Sequence, residues 1–256
     1  MKIGFFDSGL GGLTIMSAVI KKLPQYDYEF YGDTANLPYG DKSEEEIFNL
    51  TKRGIDNLFK KNCLLIIVAC NTASAETLRE LQNNYLIKNY PERKILGVII
   101  PTIETLKEEE IQHAILIGTN RTINSKKYDL ELIKYDQKTK LTSIATPKLV
   151  PLIEAKKYTA AYNEICKIID SRKGEDAIIL GCTHYTILNQ ELTKSYGEGF
   201  KIISQDQIIP RKLKLYLKKH PEIEHKLTKG KTRNIHLTKH TASYDELLRE
   251  LIGNPI

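Results

Sequence analysis

Two cysteines, Cys70 and Cys182, each close a short aliphatic run, Leu64 to Ala69 and Ala177 to Gly181. Small polar residues come next in both cases: Asn71-Thr72 after the first, Thr183-His184 after the second. A cysteine at a helix N-terminus feels the partial positive charge there and is a better thiolate than the free side chain, whose pKa is about 8.5. A tenfold gain in acidity corresponds to about 1.4 kcal/mol, which one or two hydrogen bonds to sulfur can supply. Either cysteine alone could instead be a small buried apolar residue at a strand end, but two at matching places weaken that reading. Cys63, at the start of a strand, and Cys166, within the pattern Tyr162, Ile165, Cys166, Ile169, fit the buried reading and are assigned no role. His184 stands two residues after Cys182, on the same side of an extended chain, so a proton relay between them is feasible. Cys-x-His could also be half a zinc site, but no Cys-x-x-Cys or second His cluster completes it, and no metal is expected.

Two further strand ends carry the same kind of residue: Asp7-Ser8-Gly9 and Gly118-Thr119. In open α/β sheets ligands collect beyond the carboxyl ends of the strands, where loops and helix N-termini present unpaired N–H groups. The glycines after Asp7 (Gly9, Gly11, Gly12) let backbone N–H groups approach a ligand. Their spacing is not G-x-G-x-x-G, no Gly-Lys-Ser/Thr comes after them, and no second Asp stands two residues on, so nucleotide and phosphoryl chemistry lose ground. Asp7 could instead cap a helix. Tyr31-Gly32-Asp33 and Pro38-Tyr39-Gly40 flank a loop whose Pro and Gly suggest a turn.

The elements that must position these residues are short β-branched runs alternating with amphipathic stretches. Nine strands are predicted: Ile3 to Phe6, Tyr28 to Tyr31, Leu64 to Ala69, Ile95 to Ile100, Ala114 to Ile117, Leu141 to Ala145, Ala177 to Leu180, Lys201 to Ser204 and Asn234 to Leu237. Runs apolar at nearly every position imply strands buried on both faces under helices, such as one over Ala73 to Tyr85. The segments ending in Cys70 and Cys182 echo each other in hydropathy and lie 112 residues apart, about one small α/β domain. The expectation is therefore an α/β protein of two similar domains with mostly parallel sheets and the active site in the cleft between them. The first domain is expected over 1–97 plus 208–256 and the second over 98–207, with crossings near Pro101 and Ser204 to Pro210.

Composition bounds the answer from outside. The chain has 256 residues, 41% apolar and 27% charged, with a formal charge of +6, which excludes collagenous, disordered and disulfide-knot classes. The longest uninterrupted aliphatic run is far short of the ~20 residues of a membrane helix, so no bilayer span is expected. Asp7 interrupts the apolar stretch after Lys2, the signal-peptide pattern is missing, and a cytoplasmic location is expected. The charge is uneven: residues 201–240 hold eleven Lys/Arg against three Asp/Glu, so any polyanion contact would lie there. The plainer reading is a lysine-rich solvated face.

Taken together, Phe6 to Gly12, Tyr31 to Gly40, Ala69 to Ala75 and Gly181 to His184 resemble the signatures of one family, glutamate racemase, in that family's order. Gly118-Thr119 with Thr122, and Val150 to Glu154, resemble two more. The resemblance covers roughly residues 1–205 and is weaker after Ser204-Gln205, where the family usually has Ser-Gly. It is weak again around Lys239 to Ala242.

The resemblance implies a cofactor-independent interconversion of L- and D-glutamate, the D form feeding peptidoglycan synthesis. It implies that Cys70 takes the proton of D-glutamate and Cys182 that of L-glutamate, assisted by Asp7 and His184 respectively. Ser8, Pro38, Tyr39, Gly40, Asn71, Thr72, Thr119, Thr122, Glu154 and Thr183 are implied around the ligand. None of these residues is an Arg, so hydroxyl, amide and backbone donors would hold both carboxylates. Stereoinversion needs a proton removed from one face and delivered to the other, which two thiols on opposing walls would do. The expected partner is the small-molecule substrate, in a homodimer. The rivals are a racemase of the same superfamily acting on aspartate or a hydantoin, and a noncatalytic protein binding nucleic acid or a DNA enzyme through the 201–240 face. A cysteine hydrolase is disfavoured, because two equivalent thiols have no use there.

Overall fold

The computed structural model describes residues 1–136, 138–197, 199–241 and 244. Among the described residues nine strands form: β1 (Lys2–Asp7), β2 (Tyr28–Gly32), β3 (Cys63–Val68), β4 (Lys94–Gly97), β5 (His113–Gly118), β6 (Lys140–Ala145), β7 (Ala177–Gly181), β8 (Lys201–Ile203) and β9 (Arg233–Leu237). They pair in parallel throughout, in two sheets of order β4-β3-β1-β2-β9 and β6-β5-β7-β8. The protein is thus α/β with two parallel sheets, as the unalternating apolar runs require.

Each central strand feeds two cores, because successive side chains leave opposite faces. In β1, Ile3 and Phe5 enter the core that helices Gly12–Lys22 and Gln205–Lys219 cover, whereas Phe6 enters the core beneath helix Glu44–Lys60. In the second sheet Ile115, Ile117, Ile178 and Leu180 face one layer and Ala114, Leu116, Ala177 and Ile179 the other. Burial on both faces is what allows so little polar residue in these strands. Helix Gln205–Lys219 ties the sheets together: Ile208 packs in a core of the second sheet, Ile209, Leu213 and Leu217 in a core of the first.

Register brings the chemistry to two facing edges. Phe6 pairs with Val68, so Asp7-Ser8 and Ala69-Cys70 leave the first sheet side by side. Gly118 pairs with Gly181, so Thr119 and Cys182 do the same in the second.

Three expectations need correction. The run Ile95 to Ile100 is not strand throughout: β4 stops at Gly97 and Ile99 begins a helix, Ile99–Glu108, that contains Pro101. Proline is tolerated in that first turn, where its missing N–H has no intrahelical partner to lose. The helix over Ala73 to Tyr85 begins earlier, at Asn71, is α-helical to Glu80, and continues as a π turn over Leu81–Leu86. Cys166 is only partly buried, whereas Cys63 is fully so. Of the expected first domain, residues 242–243 and 245–256 lie outside the described residues, and Ala242 with them.

The basic segment is in part neutralised from within. Lys212 lies 2.8 Å from Glu104 and 2.6 Å from Glu108, Arg211 2.9 Å from Glu108 and Lys201 2.8 Å from Glu109, all acids of or next to helix Ile99–Glu108. No helix of the described residues is long and apolar enough to cross a membrane.

Candidate active site

Cys70 is the N-cap of helix Asn71–Glu80: its Sγ accepts the Ala73 N–H at 3.4 Å. The thiol also lies 3.3 Å from Ser8 Oγ. Cys182 directly follows β7 and precedes a 3₁₀ turn, Thr183–Leu188, rather than an α-helix, so the two thiols are not equivalent in their local dipoles. Both line one small cavity, together with Ser8, Pro38, Tyr39, Gly40, Asn71, Thr72, Thr119, Thr183 and His184. Of the fourteen site residues named from sequence, only Asp7, Thr122 and Glu154 stand behind this wall, each one hydrogen bond away from it. Leu37 and Val150 complete the lining; they had no signal of their own beyond their place inside two of the motifs.

The two thiols sit in different electrostatic settings. Burial, then the charge of Asp7, pushes the Cys70 thiol up to about 12, against the lowering effect of the Ser8 and Ala73 hydrogen bonds. The helix terminus is therefore present but loses to desolvation, contrary to the expectation of an acidified thiol. Asp7 itself is held above the ordinary carboxylate value by burial, which outweighs the charge of His184 and hydrogen bonds from Gly12, Gly9 and Thr183. Its oxygens accept the Gly9 N–H at 3.0 Å and the Thr183 hydroxyl at 3.2 Å, so its direct partners are these loops, and its influence on Cys70 is through charge.

Across the cavity, His184 Nδ1 lies 3.7 Å from Cys182 Sγ and His184 Nε2 lies 2.6 Å from Glu154 Oε1. Burial alone would lower the histidine, but hydrogen bonds to Cys182 and Glu154, and their charges, raise it well above 6.5. The same hydrogen bond holds Glu154 below its usual value. An imidazole fixed between a thiol and a carboxylate can receive a proton from the first and keep it.

Hydroxyls supply the rest of the polar wall. Thr72, Thr119 and Thr122 form a closed triangle, with Oγ1 separations of 3.0, 3.2 and 3.0 Å, that joins the two sheets' loops. Tyr39 lines the cavity, while its hydroxyl donates to the buried Asp33 at 2.7 Å. Asp33 also accepts from Asn36 and Thr238, and so fixes the loop that carries Pro38, Tyr39 and Gly40. Gly11 is needed for close approach: a Cβ there would stand 2.6 Å from Thr183 Oγ1 and 2.7 Å from the Thr183 backbone carbon.

The cavity between the thiols is about 20 Å³, room for about one water molecule. It shares Leu37, Pro38, Gly40, Thr119 and Val150 with an outer cavity of about 290 Å³, bounded by Glu154, Asn120 and Tyr244.

Residues 20–208 match the sequence profile of the Asp/Glu/Hydantoin racemase family. The chain is 34% identical over 239 residues to a glutamate racemase of Ruegeria sp. (strain TM1040), covering 87% of each. Its fold superposes on a glutamate racemase isoform from Bacillus anthracis with a TM-score of 0.87 at 29% identity, covering 100% of this chain and 95% of that one. A glutamate racemase from Francisella tularensis, solved in complex with D-glutamate, matches with a TM-score of 0.80 at 27% identity, covering 100% and 94%.

Proposed function

Because the chain belongs to the Asp/Glu/Hydantoin racemase family, among its glutamate racemases, we propose that it interconverts L- and D-glutamate by a two-thiol mechanism without a cofactor. The observation that carries this reading is that Cys70 and Cys182, from two different sheets, line one cavity. A carbon held between them can lose a proton to one sulfur and gain one from the other, which inverts it.

From L-glutamate, Cys182 takes the α-proton with His184 and Glu154 behind it, and the Cys70 thiol delivers a proton to the opposite face. From D-glutamate the roles exchange: Cys70 takes the proton, with Asp7 as the group beside it that can hold one. The carbanionic intermediate has no conjugated electron sink, so its charge must fall on the substrate carboxylate. The threonine hydroxyls and the N–H groups that open helix Asn71–Glu80 are the preorganised donors for it. Ser8, Thr183 and the Pro38 to Gly40 loop complete the enclosure, which excludes water. The inner cavity is smaller than an amino acid, so its walls part when substrate enters from the outer one.

The product would supply D-glutamate for peptidoglycan in the cytoplasm. The proposed unit is a homodimer, each chain divided into domains over 1–97 plus 208–256 and over 98–207. Loss of circular dichroism from L-glutamate incubated with purified protein and no added cofactor tests the activity, with L-aspartate in parallel. A signal lost with aspartate and kept with glutamate would sink the substrate assignment.

A further inference from the structure

Behind Cys70, three buried side chains from separate parts of the chain close a polar ring. Asn71 Nδ2 donates to Gln205 Oε1 at 2.9 Å, and Gln205 Nε2 donates to Asn71 Oδ1 at 2.9 Å. Tyr128 OH donates to the same Asn71 oxygen at 2.7 Å and accepts from Gln205 Nε2 at 3.1 Å. All three are at most 2% exposed. Asn71 and Gln205 are each the first residue of a helix, 134 positions apart, one following the strand that ends near Cys70 and the other following β8.

We infer that Gln205 is a positioning residue of the active site, acting through Asn71. A primary amide has two N–H donors and one oxygen. In Asn71 the oxygen receives two hydrogen bonds and one N–H is given to Gln205, which leaves one N–H on a residue that lines the cavity. Gln205 thereby decides what Asn71 offers a substrate: a donor, suited to a carboxylate, in a fixed direction. Both polar ends of the Gln205 amide are used inside the ring, so it acts on the substrate only through Asn71. Tyr128 ties the ring to helix Lys127–Tyr135 of the second sheet's layer, so the donor is set only when the two halves are docked.

This inference rests on the racemase reading, and its test separates the two. For Gln205→Leu, KM for both glutamate enantiomers should rise about tenfold with kcat within about threefold, as expected when a donor used equally in ground and transition states is lost. Tyr128→Phe, a gentler change that keeps the ring's volume, should raise KM in the same direction by less. Gln205→Leu combined with Asn71→Ser should be no worse than Asn71→Ser alone. In ¹⁵N spectra of the wild-type protein the Asn71 side-chain proton given to Gln205 should exchange slowly with solvent, and in Gln205→Leu quickly, with backbone protection unchanged. Wild-type constants in Gln205→Leu, a loss confined to kcat, additive losses in the double variant, or a freely exchanging Asn71 amide in the wild type would each overturn the inference. Absence of racemisation by the wild type would count against the racemase reading alone, since amide exchange still decides whether Gln205 holds Asn71.

Discussion

His184 Nε2 lies 2.6 Å from Glu154 Oε1, while Nδ1 of the same ring lies 3.7 Å from Cys182 Sγ. The imidazole is thus held between the thiol that would take the L-glutamate proton and a carboxylate that can compensate the resulting positive charge. That arrangement gives the second thiol a proton acceptor, whereas the first has a hydroxyl and a backbone N–H as its nearest partners.

Replacing Glu154 by Gln removes the compensating charge. The pKa of His184 should fall, and the ionisation it contributes to the pH dependence of kcat/KM should move to lower pH, with roughly tenfold lower turnover from L-glutamate at neutral pH. Initial rates from each enantiomer across pH check this; an unmoved profile would sink the coupling.

The same histidine makes a stability prediction. Its pKa is raised above 6.5 in the folded state, so its contribution is fully present below 6.5 and is lost as pH rises through the folded value. The difference in Tm between wild type and His184→Gln should therefore be largest in mildly acidic buffer and shrink toward alkaline pH. A difference that grows with pH would mean that the histidine is neutral in the fold.

Gly11→Ala should push the two active-site loops apart, because the new Cβ would meet Thr183 at 2.6 Å. Overpacking of this kind costs about 1–3 kcal/mol, and part of the cost can be met by separating the loops, so activity should fall further than Tm indicates. Thermal melts beside kcat/KM measure the two effects; unchanged activity would mean that the loops yield without cost.

Tyr39→Phe leaves the buried Asp33 carboxylate without its 2.7 Å donor. Loss of a hydrogen bond to a buried charge should cost about 1.5–3 kcal/mol. The effect should appear as lower stability and a raised KM, since Asp33 shapes the loop and stays clear of the cavity. Chemical denaturation with steady-state kinetics tests it, and a loss in kcat alone would place the Tyr39 hydroxyl in the chemistry instead.

Much of this site was legible in sequence because strand ends are local features. Asp7, Cys70, Thr119 and Cys182 each come after an apolar run, and parallel sheets bring such ends to one edge. What was not legible depends on contacts between distant segments. Ser204-Gln205 stood out as a departure from the family's pattern, but nothing local to Gln205 says that its amide meets Asn71. Asp33 sat inside a motif without showing that it holds Tyr39 and Thr238 together. The Ile95 to Ile100 run misled because a buried strand and the first turn of a buried helix are equally apolar. For Cys70, the dipole argument gave the wrong direction because the depth of burial, which sequence does not reveal, is the larger effect.

Cys70→Ser and Cys182→Ser test the two sulfurs one at a time. Each should lower kcat/KM for racemisation by about 10³-fold, the scale of losing a positioned acid or base, without a matching fall in Tm. Either variant racemising at near wild-type rate would remove that sulfur from the mechanism.

The most direct measurement tracks solvent deuterium into the α position during the first few per cent of conversion, starting from each enantiomer in turn. Two walls with separate sulfurs predict that newly formed product carries deuterium while recovered starting enantiomer keeps its protium. Product that retains the original proton, or label entering both enantiomers equally from the outset, would contradict a pair of opposed thiols.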